Sequence, residues 1–119
     1  MTLTGTKAEL DKAKELGRLL LSLQQVMIEA DHWSDVAIDP AALNSQQPFC
    51  LDTMTFSQWL QFVMIPSMQR LIDTNQELPQ LIKGQGIEPM ASESYSSLEV
   101  EQAIIAKISE LDDLLQEHR

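Results

Sequence analysis

Apolar residues recur at helical spacing along three long stretches of the chain. In the first, Leu10, Ala13, Leu16, Leu20, Leu23 and Met27 return every three or four residues, which predicts an amphipathic helix with one buried stripe. Thr6 with Glu9 three residues on is a capping box that opens it, and it should run to about Glu29 or Ala30. Gly17 lies inside the stripe at a propensity cost of ~1 kcal/mol relative to Ala, so it predicts close approach of another helix. Leu19 and Leu21 widen the apolar surface toward a second neighbour or a partner.

The second stretch, Thr55 to Asp73, is apolar nearly all round. Phe56, Trp59, Leu60, Val63, Met64 and Leu71 share one broad face, and Phe62, Ile65, Met68 and Ile72 spread over the rest. Arg70 is its only formal charge between Phe56 and Ile72. Such a helix wants neighbours on most of its sides, so it reads as the centre of a helical domain. Thr55 and Gln58 form a second capping box. Pro66 cannot donate to the carbonyl of Phe62, which predicts a kink or break there. The helix should end near Thr74-Asn75.

The third stretch carries Leu98, Val100, Ala103, Ile104, Ile108, Leu111 and Leu115 on one face, with Ile105 and Leu114 to its sides. Ser96 and Glu99 supply a third capping box. Glu101, Lys107, Glu110, Asp112 and Asp113 read as mostly outward. The connections are irregular. Asp39-Pro40 looks like an N-cap with Pro at the first helical position, so Pro40–Asn44 is one short turn. The long connection also holds Trp33, Phe49 and Leu51, which predicts that it is packed down. After Leu78-Pro79 a further short turn is expected at Pro79–Lys83, and Ile87, Pro89 and Met90 should tuck back onto the bundle. The reading is all-α: one domain over residues 1–119, with three long helices and short helical pieces around a central apolar helix.

Composition agrees with this and narrows function. The chain has 119 residues, 44% hydrophobic and 22% charged, which suits one soluble globular domain able to bury a core without disulfides or metals. Its formal net charge is −10, which argues against direct nucleic-acid binding and against anionic membrane surfaces. The acidic excess lies around Glu29–Asp39 and Glu110–Glu117 and implies either a solvated face or a basic partner. Cys50 is the only cysteine, so no intramolecular disulfide forms, which fits a reducing cytoplasm. Neither a signal peptide nor a transmembrane span is expected.

Candidate chemistry is sparse. Asp31-His32-Trp33-Ser34-Asp35 is the densest polar cluster, but its spacing matches no metal site, and a plain post-helix loop is the expectation. Cys50 between Phe49 and Leu51 reads as a small buried hydrophobe rather than a nucleophile. No phosphate-binding, dinucleotide or hydrolase motif is present, so no catalytic residue, cofactor or metal is assigned. The methionines and the two Trp read as core, and Arg70 as the partner of Asp52 or Asp73 in an ion pair.

Asn44-Ser45-Gln46-Gln47-Pro48-Phe49, Asp52-Thr53-Met54 and Gln58-Trp59-Leu60-Gln61-Phe62, followed by Ile65-Pro66 and Met68, resemble the YqcC-like family of small bacterial proteins. The likeness is strongest over residues 44–70 and extends more weakly over most of the chain. It departs at Ser67, where members often carry Arg; if that Arg serves recognition, the role is either missing here or passes to Arg70. The resemblance implies a short all-α array. Genes of that family often neighbour the gene for tRNA pseudouridine synthase C, and some members carry that enzyme's name by association. Nothing in this chain matches the large mixed α/β architecture of the enzyme itself.

These readings together favour a non-enzymatic cytoplasmic interaction module, accessory to a tRNA-modifying enzyme. Its expected surface comprises Gln46, Gln47, Pro48, Phe49, Asp52, Thr53, Gln58, Gln61 and Arg70. Two rivals stand beside it. One is a small-molecule site, in a pocket beside the kinked central helix lined by Trp59, Met64 and Met68 with Asp52 or Arg70. The other is a homodimer through Leu19, Leu21 or Ile105.

Overall fold

A computed structural model of the chain describes residues 7–79, 86–95 and 99–116. The fold is all-α, with no strand among the described residues. Three long helices are present: a first helix, Lys7–Glu29, a middle helix over 56–73, and a terminal helix, Glu99–Leu115. A short helix, Glu88–Ser94, precedes the terminal one, and 3-10 turns occupy Pro40–Asn44 and Pro48–Cys50. The short helix is not evident in the apolar pattern. With seven residues it shows only Ile87 and Ala91 as a buried i,i+4 pair. The expected capping boxes at Thr6 and Ser96, the side chain of Leu98 and the turn at Pro79–Lys83 lie outside the described residues.

The deepest core lies between the first and terminal helices. Leu16, Leu20, Leu23 and Met27 meet Ile104, Ile108, Leu111 and Leu115, all with essentially no solvent exposure. The middle helix packs by its C-terminal half against the first helix and buries one face only, at Phe56, Leu60 and Met64. Leu19 belongs to this core, whereas Leu21 is 68% exposed and Leu10 is also largely exposed. Ile105 packs against the core edge. Ala103 and Pro89, expected inside, face solvent.

Two helix ends show why no glycine is needed there. Asp31 adopts a left-handed φ of 62° while His32 N donates to the Met27 carbonyl and Asp31 N to that of Ile28. Asn75 does the same at φ 56°, with Gln76 N bonding Leu71 O and Asn75 N bonding Ile72 O. These are Schellman closures, and Asn and Asp are the side chains that best tolerate the left-handed position.

Pro66 does not break the middle helix. Phe56–Trp59 is α-helical, Leu60–Met64 is a π-helical turn, and Ile65–Asp73 resumes as α-helix with Pro66 in its first turn. Ile65 N reaches the Leu60 carbonyl across the wide turn. Widening one turn takes up the missing proline N–H, so the helix runs on past Pro66 without a break. Gly17 is similarly less constrained than its position implies. A Cβ there would meet only Ile72 Cδ1 at 3.9 Å, an ordinary van der Waals contact.

Candidate functional site

The long connection between the first and middle helices is built, not slack. Its last part is the capping box: Thr55 Oγ1 accepts from Gln58 N at 3.1 Å, and Gln58 Oε1 accepts from Thr55 N at 2.9 Å. Asp39 caps the first 3-10 turn by accepting from Ala41 N at 3.0 Å. Thr53 Oγ1 donates to the Ala42 carbonyl at 2.7 Å, and the Ser45 hydroxyl donates to Asp52. These two bonds staple the 40–44 turn to the 50–53 turn. Phe49 and Cys50 both take left-handed backbone, at φ 57° and 52°. For a Phe this is a strained conformation. Its compensation is the ring contact: Phe49 sits edge-on to Trp59 at 4.8 Å and to Phe56 at 5.8 Å. Phe56 stacks with Trp59 and meets Tyr95, so the cluster reaches across to the end of the short helix.

The expected surface residues separate in this geometry. Gln46, Gln47, Pro48, Asp52 and Thr53 are exposed on the connection, and Phe49 is half-buried beneath them. Gln58 is half-buried and its side-chain oxygen serves the cap. Gln61 is buried, and both ends of its amide are used: Oε1 accepts from Ser34 N and Nε2 donates to Ser34 O, each at 2.8 Å. It holds the 31–36 loop from a buried position. Arg70 is exposed, twelve residues beyond Gln58, which is about 18 Å along a helix. Among the described residues it makes no ion pair; Asp73 instead accepts from Gln69 at 3.0 Å, and Asp52 from Ser45. Leu51, expected to pack down, is exposed.

His32 has a role that local sequence could not reveal. Its Nε2 lies 2.8 Å from Glu101 Oε2, its Nδ1 3.1 Å from Ser57 Oγ, and Ser57 Oγ is 2.6 Å from the Tyr95 hydroxyl. With the carboxylate as acceptor, Nε2 donates, Nδ1 accepts from Ser57, and Ser57 accepts from Tyr95, so every polar atom in the chain is satisfied. The four residues come from four separate segments, and they tie the loop, both later helices and the middle helix together. Glu101 therefore points inward. Burial is the main cause that pushes the Tyr95 phenol up; the Ser57 bond opposes it and the Glu101 carboxylate adds to it. No group of His, Cys, Asp and Glu among the described residues could hold a metal ion.

Asp112 is the second correction to the terminal helix. Read as outward, it is 4% exposed and accepts from Ile87 N at 2.9 Å and Glu88 N at 2.7 Å, which starts the short helix. Gly86 makes room for it: a Cβ on Gly86 would lie inside the Asp112 carboxylate. Burial is the largest influence on Asp112 and pushes its carboxyl up; the two backbone bonds pull it down, and the Glu88 and Asp113 carboxylates push it up further.

Beside the expected pocket, Met64 lies in the core, the Trp59 ring packs on Phe49 and Phe56, and Met68 is half-buried. A cleft of about 340 Å³ lies elsewhere, between the start of the first helix and the end of the middle one, with Leu10, Ala13, Leu71, Ile72 and Leu78 in its walls. No helix among the described residues is long and apolar enough to cross a membrane.

Known proteins place the chain. Over 60 residues it is 43% identical to the uncharacterized protein YqcC of Escherichia coli K12, which is 50% of this chain and 55% of that protein. An uncharacterized protein of Haemophilus influenzae is 32% identical over 95 residues, 80% of this chain and 87% of the relative. The solution NMR structure of E. coli YqcC superposes with a TM-score of 0.74 at 30% identity, covering 91% of this chain and 95% of that one. A tRNA pseudouridine synthase C of Pectobacterium carotovorum subsp. carotovorum is 33% identical over 70 residues, which is 59% of this chain but only 19% of that protein. The model of a family described as "DUF446: tRNA pseudouridine synthase C" matches residues 15–114, and the chain belongs to this family, together with YqcC.

Proposed function

We propose that this chain is a non-catalytic cytoplasmic accessory module of a tRNA pseudouridine synthase. One observation carries the reading. The homologous segment of the Pectobacterium protein that bears the synthase name is only 19% of its length, so more than four-fifths of that protein lies outside the match. A module that takes up 59% of this chain and only a minor part of a larger polypeptide there is suited to working beside the remainder. The chemistry of the chain is compatible with this. In the network Glu101–His32–Ser57–Tyr95 the His32 ring is bonded at both nitrogens and Ser57 is tied to two partners. Net charge of −10 makes a direct grip on tRNA phosphates unfavourable.

The test uses purified chain and a purified tRNA pseudouridine synthase C from the same organism. The chain alone should form no pseudouridine in tRNA, and the two proteins should sediment as a complex. Pseudouridine formed by the chain alone, or two proteins that sediment independently, would overturn the reading.

A further inference from the structure

We infer that the stapled connection over residues 35–53 docks onto the basic, RNA-contacting surface of the synthase, so that the docked module and tRNA exclude one another; this rests on the accessory reading above. The first observation is apolar exposure. Val36, Leu43 and Leu51 are 74%, 51% and 45% exposed, and they are three of the six large hydrophobic side chains that stand exposed among the described residues. The second is that the connection presenting them is already ordered. Gln61 holds Ser34, Asp39 caps its turn, and the Thr53–Ala42 and Ser45–Asp52 bonds set the turn of Leu43 beside that of Leu51. A surface ordered before binding avoids most of the entropy cost of ordering it on contact.

The third observation identifies the partner's chemistry. From Leu19 to Gln69 the chain has five carboxylates, Glu29, Asp31, Asp35, Asp39 and Asp52, and no Lys or Arg. Asp35, Asp39 and Asp52 are exposed on the same connection as the apolar side chains. A connection that exposes apolar side chains and charges of one sign only is matched by a partner with apolar contacts and the opposite sign. An enzyme that acts on tRNA carries its Lys and Arg where phosphates lie. The basic surface available for docking is therefore the surface that tRNA uses, and competition follows.

Calorimetric titration of the chain into the purified synthase, with and without unmodified tRNA, tests this. One variant combines Val36→Ser, Leu43→Ser and Leu51→Ser. A second combines Asp35→Asn, Asp39→Asn and Asp52→Asn, which keeps the acceptors for Ala41 N and the Ser45 hydroxyl. Leu21→Ser, on the first helix, is the control, and circular dichroism confirms that all fold. The expected result is a Kd raised by at least about tenfold in each triple variant, little change in the control, and displacement of the wild type by tRNA. Wild-type binding that both triples retain would overturn this docking surface while leaving the accessory reading intact. Loss in the triples without any effect of tRNA would overturn the choice of the RNA-contacting surface. A wild type that does not bind at all sinks the accessory reading, and this inference with it.

Discussion

At Asp112 a carboxylate on the polar side of a helical pattern holds the start of another helix. Its two acceptor bonds to Ile87 N and Glu88 N need the space left by Gly86. Asp112→Ala should cost about 1–3 kcal/mol, because it leaves two donors without partners in a buried place. Gly86→Ala should cost a similar amount by displacing the same carboxylate, and the double variant should be less than additive. Urea denaturation of the three variants measures this. Gln61 poses the same kind of problem. A glutamine on an apolar helix reads as a contact for a partner, yet its amide closes on Ser34. Gln61→Ala should lower stability by about 1–3 kcal/mol and raise amide exchange at Ser34. Loss of partner binding in that variant would therefore report on the fold of the loop, not on a lost contact.

At the scale of elements, the three long helices were legible because 3.6-residue periodicity survives over four or more turns. The short helix was not, since two turns offer too few apolar positions to show a period. Glycine and proline inside helices were legible as irregularities but not in their outcome. Pro66 signals a disturbed turn, and its outcome depends on what packs beside it; here Phe56, before the π turn, and Leu60 and Met64, within it, keep one buried face. Gly17 signals a close neighbour, yet Ile72 Cδ1 stands at contact distance from a built Cβ. Gly17→Ala is thus expected to stabilise the protein by about 0.5–1 kcal/mol through helix propensity. A rise in the denaturation midpoint with an unchanged slope checks it; a fall would mean that the helices sit closer than the structure shows.

The molecule as a whole is joined by buried polar groups drawn from distant segments, and these make its stability depend on pH. Asp112 and Tyr95 both have folded values above the unfolded ones. Each favours folding in its protonated form, a contribution complete below the unfolded value and lost as pH rises through the folded one. For Asp112 that window opens at its ordinary value of 3.8 and extends upward, and for Tyr95 at 10.0 and upward. Relative to Asp112→Asn, the wild type should lose stability as pH is raised from acid toward neutral. Relative to Tyr95→Phe, it should lose stability as pH rises above 10.0. Denaturation series over the two ranges give both differences, and a difference that stays flat would show that the group titrates alike in both states.

Sequence by itself determined the helical class, the three long helices, the Asp39 and Thr55 caps and the family, because these depend on residues within a few positions of one another or on motifs kept in order. Of the expected surface, sequence could show that Gln46, Gln47, Pro48, Asp52 and Thr53 lie in a polar connection, and not that Gln58 and Gln61 are used by the cap and by Ser34. Tertiary structure alone decided that Gln61 faces inward, that Leu43 and Leu51 face out, that Asp112 is a cap, and that His32 joins Glu101, Ser57 and Tyr95. The bonds behind those outcomes join residues between seven and 69 apart in the chain. Periodicity shows which face of a helix is apolar; only packing shows which polar atom on the other face finds a partner.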